Sequence, residues 1–312
     1  MIPNKRILVT GASGFIGRHL CKELQSKGFF VIGLDRIVGV ECSSLSEQYA
    51  VDLTDRIAVQ NVVKSFRPAF VVHLAAAKNK GVEFADFHEG FDINLTGSLN
   101  LIEACQAQSE LTRFVFLGSS DEYGQLQAPF VESCREAPVT AYGVTKLAVT
   151  QFLQTFHRAK AFPAVVLRPT VIYGPGQDTS MFLPALMLSL LQGKKFKMSQ
   201  GLQTRDFIYV SDVIQAIILS LTTPEIEGEI INVCSACSVK IADLARLTAQ
   251  LIGNDADQLL DIGAIPTRPG EAVDYWALHE MATTLLHWKP RIDLENGLRL
   301  SIESYRELVY KL

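Results

Sequence analysis

Short apolar runs recur along the first half of the chain, at residues 7–10, 31–35, 70–74, 114–117 and 164–167, each bounded by turn or polar residues. Their apolar side chains fill successive positions rather than alternate ones, as in strands covered on both faces of a parallel sheet. Between them lie longer stretches with the period of a helix, such as "FIGRHLCKELQSKG", closing at Gly28, and "NLTGSLNLIEACQAQ". Strands alternating with helices predict an α/β fold, a doubly wound parallel sheet. After Tyr173 the alternation loosens. "YGPGQ" leads into an oily helix at 181–191, followed by "KIADLARLTAQLIG", a loop with "PTRPGE" and a last helix from Leu294. The expected division is a sheet domain over 1–173 and a smaller C-terminal α/β lobe over 174–312. The chain crosses back to the sheet around 205–236, where "GEIINVC" reads as a strand.

A chain of 312 residues, 48% of them hydrophobic, can bury a sizeable core. Its formal charge of −4 argues against nucleic acid or an anionic membrane surface as the main partner. No apolar run approaches the roughly 18–20 residues of a spanning helix, and the longest, "MFLPALMLSLL", carries Pro184. The chain enters the strand-like "KRILVT" at once, without the form of a secretory signal. The six cysteines, at 21, 42, 105, 134, 234 and 237, form one CxxC with no second pair. They read as packing or loop thiols rather than a metal site. A reducing, cytoplasmic setting is expected, and there the sequon at Asn94 carries no meaning.

Two stretches carry chemistry. In "ILVTGASGFIGRHL", Gly11, Gly14 and Gly17 follow the first strand and open a helix. Glycines there permit a tight turn, close approach of a pyrophosphate to the backbone, and close helix–strand packing. This predicts a Rossmann-type dinucleotide site, with phosphates at the helix start. Asp35 ends the second strand and can accept the adenosine ribose hydroxyls, which favours NAD; the adjacent Arg36 leaves NADP possible. In "TAYGVTKLA", Tyr142 and Lys146 stand one helical turn apart on one face.

Taken in order, "TGASGFIG", "VDLTD", "HLAAAK", "NLTGSLNLIEA", "GSSDEYG", "YGVTK", "LRPTVIYGPGQ", "RDFIYVSDV" and "RPGE" make the chain resemble the extended short-chain dehydrogenase/reductases, specifically the nucleotide-sugar epimerase/dehydratase family, over nearly its whole length. The resemblance implies an enzyme in which Tyr142 is the acid/base and Lys146 supports it, with Ser119 anchoring the reacting oxygen and Ser120 beside it. A free phenol, with a pKa of about 10, is expected to be made more acidic by the ammonium and the nicotinamide. Tyr142 then takes a sugar hydroxyl proton as hydride leaves the same carbon.

The resemblance also implies cofactor contacts from Gly11, Gly14, Phe15, Ile16, Gly17, Asp35, Asp52, Leu53, Leu74, Ala75, Ala76 and Lys78. Asn94 would order the neighbouring loop; from the residues alone it reads equally as a helix N-cap. On the substrate side, Arg205 and Arg268 match arginines that hold a diphosphate. Glu271 matches a carboxylate for the nucleotide ribose, and Tyr275 a position that narrows the sugar pocket.

Val171 and Met181 stand where UDP-galactose epimerases carry substrate-binding asparagines. Asp121 and Glu122 sit one residue out of step with the acid pair of dehydratases. The expected reaction is reversible hydride transfer at sugar C4, a 4-epimerisation. The alternatives are an NAD(P)H-dependent 4-keto-6-deoxy-sugar reductase, a 4,6-dehydratase, or a non-catalytic nucleotide sensor. A homodimer is expected from the family alone.

Overall fold

The computed structural model describes residues 5–37, 45–253, 255–267 and 272–310. Seven strands form one parallel sheet: β1 (Arg6–Thr10), β2 (Phe30–Asp35), β3 (Glu47–Ala50), β4 (Phe70–His73), β5 (Arg113–Leu117), β6 (Ala164–Pro169) and β7 (Ile230–Val233). Their spatial order is β7-β6-β5-β4-β1-β2-β3, with every pair parallel. The order reverses between β1 and β4, so helices leave on opposite faces and a crevice opens at the carboxyl ends of those two strands.

The central strands are apolar throughout because both faces are covered, and Ile7, Leu8 and Val9 are all fully buried. One core lies against α1 (Phe15–Ser26) and α7 (Val210–Thr222); the other lies against α2 (Arg56–Phe66), α4 (Gly97–Gln106) and α5 (Ala141–Lys160). After β4 the chain runs through α3 (Phe84–Gly90) and a π-helical segment, Phe91–Thr96, whose Leu95 packs against the second core.

The part of the chain after Tyr173 contributes α6 (Phe182–Leu191), α8 (Ile241–Ile252), the C-terminal helix Leu294–Tyr310 and short strand pairs such as Val239–Lys240 with Thr204–Arg205. Met181 stands just before α6 as its N-cap. Gly253 closes α8 at φ +93, the left-handed geometry glycine adopts without cost. No helix among the described residues is long and apolar enough to cross a membrane.

Candidate active site

The glycine turn sits at the crevice. Gly11 has φ +68, and a Cβ there would lie 2.9 Å from the Ala75 nitrogen. A Cβ at Gly17 would stand 2.6 Å from the Ala12 carbonyl oxygen and closer still to that of Gly11. Only glycine lets α1 lie this tightly on β1. The N-cap of α1 is Gly14, which offers no side chain to the first-turn N–H groups. Those donors and the positive end of the helix are left for an anion. Phe15 and Ile16, half-buried, begin the helix behind them. The turn therefore fits a dinucleotide pyrophosphate, because its glycines keep the turn tight and leave the first N–H groups of α1 uncapped by a side chain.

Asp35, at the end of β2, is fixed beside this turn. Its oxygens accept the Ser13 N–H at 3.1 and 3.2 Å and the Ser13 hydroxyl at 3.1 Å, while Gln48 donates to the Ser13 oxygen at 2.8 Å. Arg36 points outward and is exposed. The Asp52 carboxyl is held below the usual carboxylate range, chiefly by the Thr54 backbone N–H and more weakly by Arg36. Leu53 is buried against Gly97, where a Cβ would stand 2.9 Å from it.

From the end of β4, residues Leu74, Ala75 and Ala76 run half-buried along the crevice, with Lys78 more exposed beyond them. Asn94 does not cap a helix. It lies inside the π-helical segment and spans the gap to this strand end. Its carbonyl oxygen accepts the Ala77 N–H at 2.7 Å, and its amide donates to Ala77 O and Thr145 Oγ1 at 3.0 Å each. The N-cap reading fails because the helix starts earlier, at α3, and the widened π turn frees the side chain for a tertiary bond.

A second link runs beneath. The Ser98 hydroxyl donates to Asn94 O, so it accepts from His73 Nε2–H at 2.8 Å. His73 Nδ1 then accepts from the Thr10 hydroxyl at 2.7 Å, and that oxygen takes the N–H groups of Leu74 and Ala75 at 3.2 Å each. Only a neutral imidazole satisfies every direction. Burial, with Lys146 nearby, accordingly holds the His73 pKa down at about 3.

Opposite the glycine turn, Thr140 caps α5 through Gly143 N–H at 3.1 Å, placing Tyr142 in the first turn and Lys146 in the second. Ser119 caps a short 3-10 turn, Ser120–Glu122, and its hydroxyl stands close enough to the Tyr142 phenol to favour its ionised form. The three residues proposed for catalysis thus come together. The Tyr142 phenol is pushed above its ordinary pKa, first by burial, then by Asp121 and Glu122, with Ser119 opposing. The Lys146 ammonium donates to Leu117 O at 2.7 Å, 5.7 Å from the Tyr142 ring centroid. Burial brings its own pKa down to about 7, with Glu122 opposing and Lys78 adding to the fall. Without a nicotinamide beside it the phenol is thus held protonated, and its acidification by the ammonium and the nicotinamide together stays an expectation.

This buried ammonium has a stability cost whose sign follows from its pKa. The folded value of about 7 lies below the ordinary 10.5, so between those limits the folded protein binds fewer protons and grows more stable as pH rises. Lys146→Met in nucleotide-free protein is expected to raise stability by about 2 kcal/mol at pH 7, after allowing for the lost bond to Leu117 O. The gain should shrink towards pH 10. Urea denaturation at the two pH values checks this, and a variant less stable than wild type at pH 7 would contradict it.

Glu122 is turned away from the site. It is fully buried, takes the Ser119 N–H at 2.9 Å on one oxygen and Arg168 Nε at 2.8 Å on the other. Arg168 also meets Glu136 at 2.7 Å. Asp121 stays at the site, between the Lys80 ammonium at 2.6 Å and the Tyr275 hydroxyl at 3.1 Å. Tyr275 is buried against Phe130, with ring centroids 5.0 Å apart, and Ser120 is buried beside it. Arg205 lies 5.6 Å from the Tyr275 ring centroid and donates to Thr204 O and Ala272 O at 2.6 and 2.9 Å. Arg268 and Glu271 fall outside the described residues. The residue types alone did not single out Lys80, Ser98 or the Glu122–Arg168 pair, because each gains its meaning from a partner distant in sequence. No group of three or more His, Cys, Asp or Glu residues that could hold a metal occurs among the described residues.

Comparison with known proteins agrees with this architecture. The chain is 31% identical to the protein named "Uncharacterized UDP-glucose epimerase YtcB" of Bacillus subtilis, over 98% of its own length and 99% of the relative's. It superposes on UDP-glucose 4-epimerase from Thermotoga maritima, solved with UDP-glucose, at a TM-score of 0.90 with 26% identity, covering 97% and 99% of the two chains. UDP-glucuronic acid 4-epimerase from Bacillus cereus, solved with UDP-glucuronic acid and NAD, matches at a TM-score of 0.86 with 28% identity, covering 97% and 99%. The model of the NAD dependent epimerase/dehydratase family matches residues 7–234, and with the glycine turn and the parallel sheet in place, the chain belongs to that family of enzymes.

Proposed function

We propose that the protein is a nucleotide-diphosphate-sugar 4-epimerase that keeps its NAD through each cycle. The observation that carries this reading is the division of labour at residues 119–122. The Ser119 hydroxyl acts on the Tyr142 phenol, while Glu122 is committed to Ser119 N–H and to Arg168 in the core. A dehydration at C5 and C6 needs two carboxyl groups facing the sugar, and Glu122 cannot be one of them. The similarity to UDP-glucose and UDP-glucuronic acid 4-epimerases supports the same choice.

The residues suit their roles. The glycine turn and the start of α1 take the pyrophosphate, Asp35 the adenosine ribose, Asp52 and Leu53 the adenine, and Lys146 the nicotinamide ribose. Bound NAD supplies a hydride acceptor that gives the hydride back. Tyr142 takes the proton of the sugar 4-hydroxyl and later returns it, with Ser119 holding that oxygen. Arg205, with Arg268, holds the diphosphate, and the apolar Val171 and Met181 leave the reading of the sugar to Ser120, Asp121 and Tyr275.

Purified protein given UDP-glucose without added cofactor is expected to form UDP-galactose until both are present, with no net change in NADH absorbance. Steady consumption of added NAD(P)H, or an absorbance change matching product formed, would replace this reading with a reductase.

A further inference from the structure

We propose that Asp121 sets sugar specificity: its carboxylate meets the substituent beside the reacting carbon, accepts a hydroxyl there, and excludes sugars carrying a carboxylate at that place. The proposal rests on the nucleotide-sugar reading above and names the class of sugar.

The backbone puts Asp121 beside the reacting oxygen. Its N–H donates to the Ser119 hydroxyl oxygen at 3.1 Å, so its side chain leaves the chain next to the group that faces Tyr142. The carboxylate is held on two sides, by Tyr275 OH at 3.1 Å and by Lys80 Nζ at 2.6 Å. Its side chain is 21% exposed, against 59% for that of Lys80. The ammonium therefore lies on the solvent side, where water screens it. Lys80 also reaches over the Tyr142 ring, 5.9 Å from its centroid, so the pair brackets the phenol. Of the charges acting on the phenol, Asp121 is the strongest, and it raises the phenol's pKa. A carboxylate on the residue whose N–H bonds the Ser119 hydroxyl that holds the reacting oxygen is placed to meet substituents on the neighbouring carbons.

The chemistry of that meeting is one-sided. An ionised carboxylate only accepts hydrogen bonds, at about four lone-pair sites, two of which Tyr275 and Lys80 occupy. A sugar hydroxyl can donate to one that remains. A sugar carboxylate has no proton to give, and it brings like charge into a partly buried site. A methyl group leaves the acceptor without a partner.

The test compares kcat/KM for UDP-glucose and UDP-glucuronate in wild type, Asp121→Ser and Asp121→Asn. Wild type is expected to favour the neutral hexose by roughly a hundredfold or more, as sites built around one hydrogen bond do. Asp121→Ser should reduce that preference to less than roughly tenfold, mostly by gaining uronate turnover. The near-isosteric Asp121→Asn keeps the packing, and its acidic activity limb should move to lower pH because the charge that raises the phenol's pKa is gone. A merely structural Asp121 would leave that limb in place. A wild type that takes the uronate as readily as the hexose overturns the proposal alone, and shows that Lys80 rather than Asp121 sets the local charge. A wild type inert towards both sugars, as UDP and dTDP derivatives, removes the epimerase reading and the proposal with it.

Discussion

Tyr142→Phe is expected to lower kcat by about 10²–10⁴-fold, the usual worth of a positioned acid/base, while the protein stays folded and retains its nucleotide. The substitution deletes one oxygen and keeps the ring that packs beside Lys146 and Lys80. Three groups packed near it are otherwise engaged. Ser119 keeps the proton of an ordinary alcohol, His73 is locked neutral between Thr10 and Ser98, and Lys146 donates to Leu117 O. KM should change little, because the phenol handles the proton rather than the diphosphate. Turnover within tenfold of wild type would mean that another group moves the proton.

The second large effect lies in the core behind the site. Arg168→Met should destabilise the protein by about 3–5 kcal/mol, the cost of stranding a buried carboxylate. Both Arg168 and Glu122 side chains are fully buried and stand 2.7 Å apart. Burial is the strongest single influence against the guanidinium's charge, but Glu122, Tyr123 and Glu136 together outweigh it, while burial pushes the Glu122 carboxyl up with Arg168 opposing. Pairing Arg168→Met with Glu122→Leu should restore much of the stability, since an apolar pair of similar volume needs no solvation. Activity should not return with it, because Ser119 N–H loses the oxygen it binds at 2.9 Å. Urea denaturation and kcat measured on the single and double variants separate the two effects. A double variant as active as wild type would show that Glu122 does not position Ser119.

Most of the sheet was legible because its strands are buried on both faces and spell out continuous apolar runs. β3 was not, because it is the edge strand and reads "EQYA", with Glu47, Tyr49 and Ala50 exposed. The glycine turn was legible because Gly11 and Gly17 answer to local backbone sterics. The π-helical turn at Asn94 had no such local signal; its widening goes with side-chain bonds to Ala77 and Thr145. The same holds for "GSSDEYG". The string places two serines and two acids together, but which acid stays at the crevice depends on Arg168, 46 residues onward from Glu122. The state of Lys146 was hidden for a like reason, since its pKa reflects enclosure by the whole fold rather than its spacing from Tyr142.

The central claim is that the hydrogen removed from C4 is carried inside the protein and returned to the same carbon. UDP-glucose bearing deuterium at C4, incubated with the enzyme in ordinary water without added cofactor and followed by NMR, tests it directly. The account predicts UDP-galactose with the deuterium still at C4. Product with hydrogen from water at C4, or deuterium accumulating in free NADH, would contradict it.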